Sequence, residues 1–95
     1  MRKILTIITL LATMLVTTAT GAVAAYRGDY NGDGIRIRSA PNGTASVLGL
    51  GYRGQGVCTT HWVWGSGGYW AYHRNLTTGV TGYAHQDLVS HWGDC

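Results

Sequence analysis

Beyond residue 25 the chain has only 11 Ile, Leu and Val among 70 residues, while all ten Trp and Tyr of the sequence fall there. Aliphatic side chains alone cannot fill a core for a domain of that size, so aromatic rings must supply much of the buried area. The same stretch holds 14 of the 15 Gly and contains neither Lys nor Glu. Long helices and coiled coils draw on Ala, Glu, Lys and Leu, so that class is excluded. Low charge combined with many aromatics argues against disorder. A small, glycine-punctuated, aromatic-rich domain remains.

Residues 1–25 have a different character. Arg2 and Lys3 are followed by the apolar run Ile4 to Val16, broken only by Thr6, Thr9 and Thr13, and then by Ala22-Val23-Ala24-Ala25. That order predicts a secretory signal peptide over 1–25, cleaved after Ala24 or Ala25. A spanning helix needs about 20 apolar residues, and Thr17, Thr18 and Thr20 follow the run. Secretion, to the medium or the cell wall, is therefore expected, with no membrane partner after cleavage. Removing Arg2 and Lys3 takes the formal charge from +3 to +1, from five Arg and four Asp. So little charge does not suit phosphate neutralisation, and no nucleic-acid partner is expected.

Cys58 and Cys95 are the only cysteines. In an exported chain, two cysteines read first as one disulfide. The competing reading is a zinc site, because Cys58-x-x-His61 and His91-x-x-x-Cys95 have ligand spacing; free or intermolecular thiols are a third. The expectation is a disulfide, with no metal and no cofactor.

Ile35-Arg36-Ile37-Arg38 alternates strictly, which predicts a strand with Arg36 and Arg38 on one face. Ser39 to Gly43 is turn chemistry. Further β-prone runs are Val47 to Tyr52, Gln55 to Trp64, Tyr69 to His73 and Val80 to His85, separated by Gly-rich turns. The pattern predicts an all-β fold, a small barrel of five to six short strands, with no amphipathic helix after residue 25.

These residues resemble the bacterial SH3-like domains. Gly34-Ile35-Arg36-Ile37-Arg38-Ser39-Ala40-Pro41 looks like the family's first strand, and Ser46-Val47-Leu48-Gly49 like the Val-Ile/Leu-Gly run that follows. Tyr52-Arg53-Gly54-Gln55-Gly56-Val57 resembles the Lys-Gly-x-x-Val turn. Gly68-Tyr69-Trp70-Ala71-Tyr72 is similar to the Gly-Trp strand, and Thr78 to His85, with Leu88, to the Gly-x-x-Gly-Trp-Val strand. Arg36, Ala40 and the long insert Cys58 to Gly67 depart from the pattern. The resemblance spans about 34–89 and divides the chain into a lead-in at 26–33 and an SH3-like domain at 34–95. It implies a module that binds cell-wall peptide or positions an enzyme.

Asp29-x-Asn31-x-Asp33-Gly34 looks like the start of a calcium loop, but Ala40 occupies the position where that loop needs Glu. Asx-Gly turns leading into the first predicted strand explain it better. Arg36 and Arg38 could grip a carboxylate or phosphate, or form a solvated face. His61, His73, His85 and His91 do not combine with a recognisable nucleophile, and paired-carboxylate hydrolysis would rest on Asp alone. No catalytic residues and no enzymatic activity are expected. The aromatics carry the functional expectation: Tyr52, Trp62, Trp64, Tyr69, Trp70, Tyr72 and Tyr83 are candidates for a ligand groove. The expected function is a secreted binding module for cell-wall peptide or another extracellular ligand. The alternative is an inhibitor or toxin-like protein that binds another protein.

Overall fold

A computed structural model describes residues 24–95. The expected signal peptide lies almost wholly outside the described residues. The described chain is all-β: β1 (Tyr26–Tyr30), β2 (Ile35–Arg38), β3 (Val47–Gly51), β4 (Val57–Gly65), β5 (Gly68–Asn75), β6 (Thr81–His85) and β7 (Val89–Asp94). A 3-10 turn, Gln86–Leu88, separates β6 from β7. All neighbours pair antiparallel in the order β3-β2-β6-β5-β4-β1-β7. Among the described residues no helix is long and apolar enough to cross a membrane.

The predicted barrel is not closed: β3 and β7 are free edges of one sheet. The sheet nevertheless curls until β1 meets β3, where the Tyr30 ring lies against Gly51 so closely that any Cβ there would overlap it. Side chains behind this curl complete the seam. The Asp29 carboxylate accepts from the backbone N–H groups of Gly54 (2.7 Å) and Gly56 (3.1 Å). Asp33 accepts from the Arg53 N–H, and the Arg53 guanidinium donates to the Asn31 carbonyl at 2.7 Å. The Asp29-x-Asn31-x-Asp33 motif is thus engaged in latching the β1–β2 loop to the β3–β4 turn.

Residues 26–33 are more than a lead-in, because β1 lies between β4 and β7. Two strands, β1 and β7, were not expected from the sequence. Gly28 in β1 passes so close to the Ser90 carbonyl of β7 that a side chain would clash, and that requirement puts a β-poor residue mid-strand.

The inner face holds Tyr30, Ile35, Ile37, Val57, Ala71, Ala84 and Val89, with Trp62 and Val80 packed against them. Only four of the seven fully packed residues are Ile or Val, which bears out the scarcity of aliphatics. Polar side chains complete the interior. His73, 1% exposed, donates from Nδ1 to the Ala71 carbonyl (3.1 Å), so its Nε2 accepts the Tyr30 O–H at 2.9 Å. Asn75 is buried and satisfied: its amide donates to Gln55 at 2.8 Å, and its carbonyl oxygen accepts from the Thr77 and Thr78 N–H groups.

Cys58 and Cys95 form a disulfide with their Cα atoms 6.0 Å apart. Cys58 of β4 stands opposite Arg27 of β1, which stands opposite Gly93 of β7. The bridge therefore straddles β1 and fastens the edge strand β7 to the body of the sheet.

Candidate functional site

A one-residue bulge in β4 decides which aromatics face where. Thr59 pairs with His73, but the next pair is His61 with Tyr72, leaving Thr60 as the extra residue. Without it, Trp62 would oppose Trp70 on the outer face. With it, Trp62 opposes Ala71 and turns inward, and His61 turns outward beside Tyr72.

The outer face then carries a continuous row. His61 of β4 pairs with Tyr72 of β5, Tyr72 with Tyr83 of β6, and Tyr83 with Arg38 of β2. Directly opposed residues share a face and interact across strands. The rings follow suit: His61 and Tyr72 centroids are 5.0 Å apart, and Tyr72 and Tyr83 4.9 Å. Both tyrosines are half-buried and His61 is exposed. Arg38 donates to the Ala45 carbonyl at 3.0 Å, which holds the cationic end of the row in place.

Two depressions flank this ladder. One, of about 220 Å³, lies beside Tyr72 among Cys58, Thr60, Arg74 and Thr81. The other, of about 300 Å³, is lined by Arg36, Arg38, Trp70 and Leu88 with Gly34 and Gly43. Among the described residues no arginine forms an ion pair; the sole close contact of opposite type is His85 with Asp87 at 3.6 Å. The face is thus aromatic along its middle and cationic beside it.

The other candidate residues lie elsewhere. Trp64 and Tyr69 form an edge-to-face pair at 5.0 Å near the tip of the β4–β5 hairpin, on the inner-face side beyond the core. Trp64 is 72% exposed. The hairpin turns at Ser66 and Gly67, with Gly67 and Gly68 at φ 80° and 132°, values that favour glycine. Trp62 is half-buried between Tyr26 (5.3 Å) and His91 (5.2 Å) and belongs to the core. Trp70 is 6% exposed; its indole N–H donates to the Ser66 carbonyl at 2.8 Å and its ring meets His85 edge-on. It is therefore mostly packed, and the little that stays exposed lies at the second depression. Tyr52 is exposed in the β3–β4 turn, apart from the rest. The candidates do not form one groove: Tyr72 and Tyr83 come together on the ladder, with Trp70 adjacent.

His61 and Arg38 complete the row. The sequence marks Arg38 as able to grip an anion or to form a solvated face, but not as a neighbour of the aromatics. His61 is not among the groove candidates, and its place depends on the bulge, as that of Arg38 beside Tyr83 depends on the β2–β6 pairing.

Besides Asp29, where burial, which raises the carboxyl, is outweighed by bonds from backbone N–H groups that lower it, three groups have shifted ionisation. Burial pushes the Tyr30 hydroxyl up to about 12. Burial lowers His73, opposed by its bond to the Ala71 carbonyl and assisted by nearby His91, and burial also lowers His91. The Thr59 hydroxyl and His91 Nε2 lie 2.8 Å apart. Tyr30, His73 and His91 all sit on the inner side of the sheet.

Comparisons of the chain with protein-family models, with curated proteins and with solved structures find no match.

Proposed function

We propose that the protein is a secreted, non-catalytic binding module whose outer sheet face takes an extended extracellular ligand, bacterial cell-wall peptide being the foremost candidate. The observation that carries this reading is the His61–Tyr72–Tyr83–Arg38 row. Flat amphipathic rings on the outer face of a curled single sheet offer contact area at low entropic cost. The disulfide is compatible with an oxidising, extracellular setting, and the predicted signal peptide and the resemblance of 34–89 to bacterial SH3-like domains point the same way.

Retention on purified bacterial cell walls tests the reading. The oxidised full chain should be retained. Y72A/Y83A should weaken binding by about a hundredfold or more, since central aromatic anchors contribute about 2 kcal/mol each and the two together up to about a thousandfold, while circular dichroism remains that of the parent. A chain that washes through like an unrelated β domain would refute it.

A second reading has its own observation. Trp64 and Tyr69 project from a hairpin tip as an exposed aromatic pair, the kind of anchor that fits a pocket on another protein. If W64A/Y69A, and not Y72A/Y83A, abolishes binding to a secreted protein, the inhibitor-like reading replaces the first.

A further inference from the structure

We propose that the depression between β2 and Trp70 is a carboxylate pocket that takes the free C-terminus of a peptide. The inference rests on the reading of the outer face as a ligand surface and names what one end of that ligand carries. Strand alternation sends both Arg36 and Arg38 outward, and both residues line the same depression. Arg38 is oriented by its bond to the Ala45 carbonyl. Arg36 is exposed and makes no ion pair among the described residues. Asp87, next to the lining residue Leu88, has an 80% exposed side chain 3.6 Å from His85. Two cations without a carboxylate partner create a site for an oxyanion, and guanidinium geometry favours a carboxylate held by parallel N–H donors.

The walls decide which oxyanion. Leu88 and Trp70 make part of the wall apolar, which suits the side chain of a terminal residue better than a bare phosphate. The volume, about 300 Å³, is at the lower end for ligand pockets and suits the end of a chain rather than a whole cofactor. The pocket also adjoins the ladder through Arg38, so a peptide lying along Tyr83 and Tyr72 could end there.

The test compares acetyl-Ala-Ala-Ala carrying a free carboxylate with its C-terminal amide on the oxidised full chain, followed by the Trp70 indole and the Gly34 and Gly43 amide resonances. The acid should bind roughly tenfold more tightly than the amide, the difference one charge-assisted pair makes. R36Q should remove that preference, and R74Q, an arginine on the same face outside the pocket, should keep it. Gly43→Leu offers a variant that leaves charge untouched. Gly43 lines the depression and a Cβ there meets nothing within 4 Å, so a side chain is accommodated without disturbing the fold, and a leucine crowding that wall should weaken acid binding. Equal affinity for acid and amide, equal loss in R74Q and R36Q, or tighter binding of inorganic phosphate than of the acid would each overturn the assignment. Wall retention that survives R36Q together with equal acid and amide binding would sink the pocket and leave the proposed function standing. Acid preference without wall retention would support the pocket and remove cell walls as the source of the ligand.

Discussion

Removing the Cys58–Cys95 bridge should bring this domain close to unfolding. The bridge closes a loop with a sequence separation of 37. In the chain-entropy model that restricts the unfolded chain by about 13 cal/mol/K, or about 4 kcal/mol at 25 °C. A domain of this size has a total stability of about 4–10 kcal/mol, so the loss is between two fifths and all of it. The topology adds to the effect. β7 pairs only with β1, yet it supplies Val89 to the core and His91 to buried Thr59. Without the bridge, β7 is held to the sheet by its pairing with β1 and these two contacts. Urea unfolding followed by tryptophan fluorescence, comparing the oxidised chain with C58A/C95A, measures the difference. A slope of about 1 kcal/mol/M, usual for a small domain, puts the shift in midpoint near 4 M, or leaves the variant without a folded baseline. A difference below about 1 kcal/mol would refute the reasoning and mean that β1–β7 pairing alone secures the edge.

Stability should also fall on acidification. His73 and His91 are both depressed in the fold, by burial first, so the unfolded chain takes up protons before the native one does. Their contribution is complete above about pH 6.5 and declines as the pH falls through the depressed folded values, for His73 at no more than about 1.4 kcal/mol per pH unit. Unfolding free energies that stay flat from pH 7 to 5 would contradict this. Gly51→Ala should cost about 1–3 kcal/mol, because the new methyl overlaps the ring of buried Tyr30; thermal unfolding checks it, and an unchanged midpoint would mean β1 and β3 are not held together there. Asp29→Ala should cost about 1–2 kcal/mol by stripping the Gly54 and Gly56 N–H groups of their acceptor, with faster amide exchange at those two glycines as its local signature.

The all-β class was legible because it depends on local patterns. Alternation in Ile35 to Arg38 and the Gly-rich breaks state strand and turn directly, and the strand at 35–38 has the bounds the pattern implies. The disulfide was legible from the number of cysteines together with the expectation of export. β1 and β7 were hidden because their sequences, Tyr-Arg-Gly-Asp-Tyr and Val-Ser-His-Trp-Gly-Asp, carry turn-forming residues, and their strand state comes from long-range pairing with β4 and with each other. The seam was hidden for a related reason: whether a sheet closes depends on curl and register, and here it stops at Tyr30 against Gly51. The site was half legible. Aromatic abundance pointed to Tyr72 and Tyr83, but alternation alone cannot anticipate that Thr60 inserts a bulge, which turns His61 out and Trp62 in. Nor does sequence spacing reveal that Trp70, on the same face as Tyr72, is covered where the β2–β3 loop meets the β4–β5 turn, the Ser66 N–H donating to the Pro41 carbonyl at 3.0 Å.

Chemical-shift mapping on the oxidised chain, with soluble peptides released from purified bacterial cell walls as the probe, tests most directly whether the outer aromatic row is the binding surface. The predicted result is saturable shifts at His61, Tyr72, Tyr83 and Arg38 and at their cross-strand neighbours Arg74 and Thr81, with Trp64, Tyr69 and Tyr52 unmoved. Shifts centred on Trp64 and Tyr69, or none at ligand concentrations that retain the protein on intact walls, would contradict it.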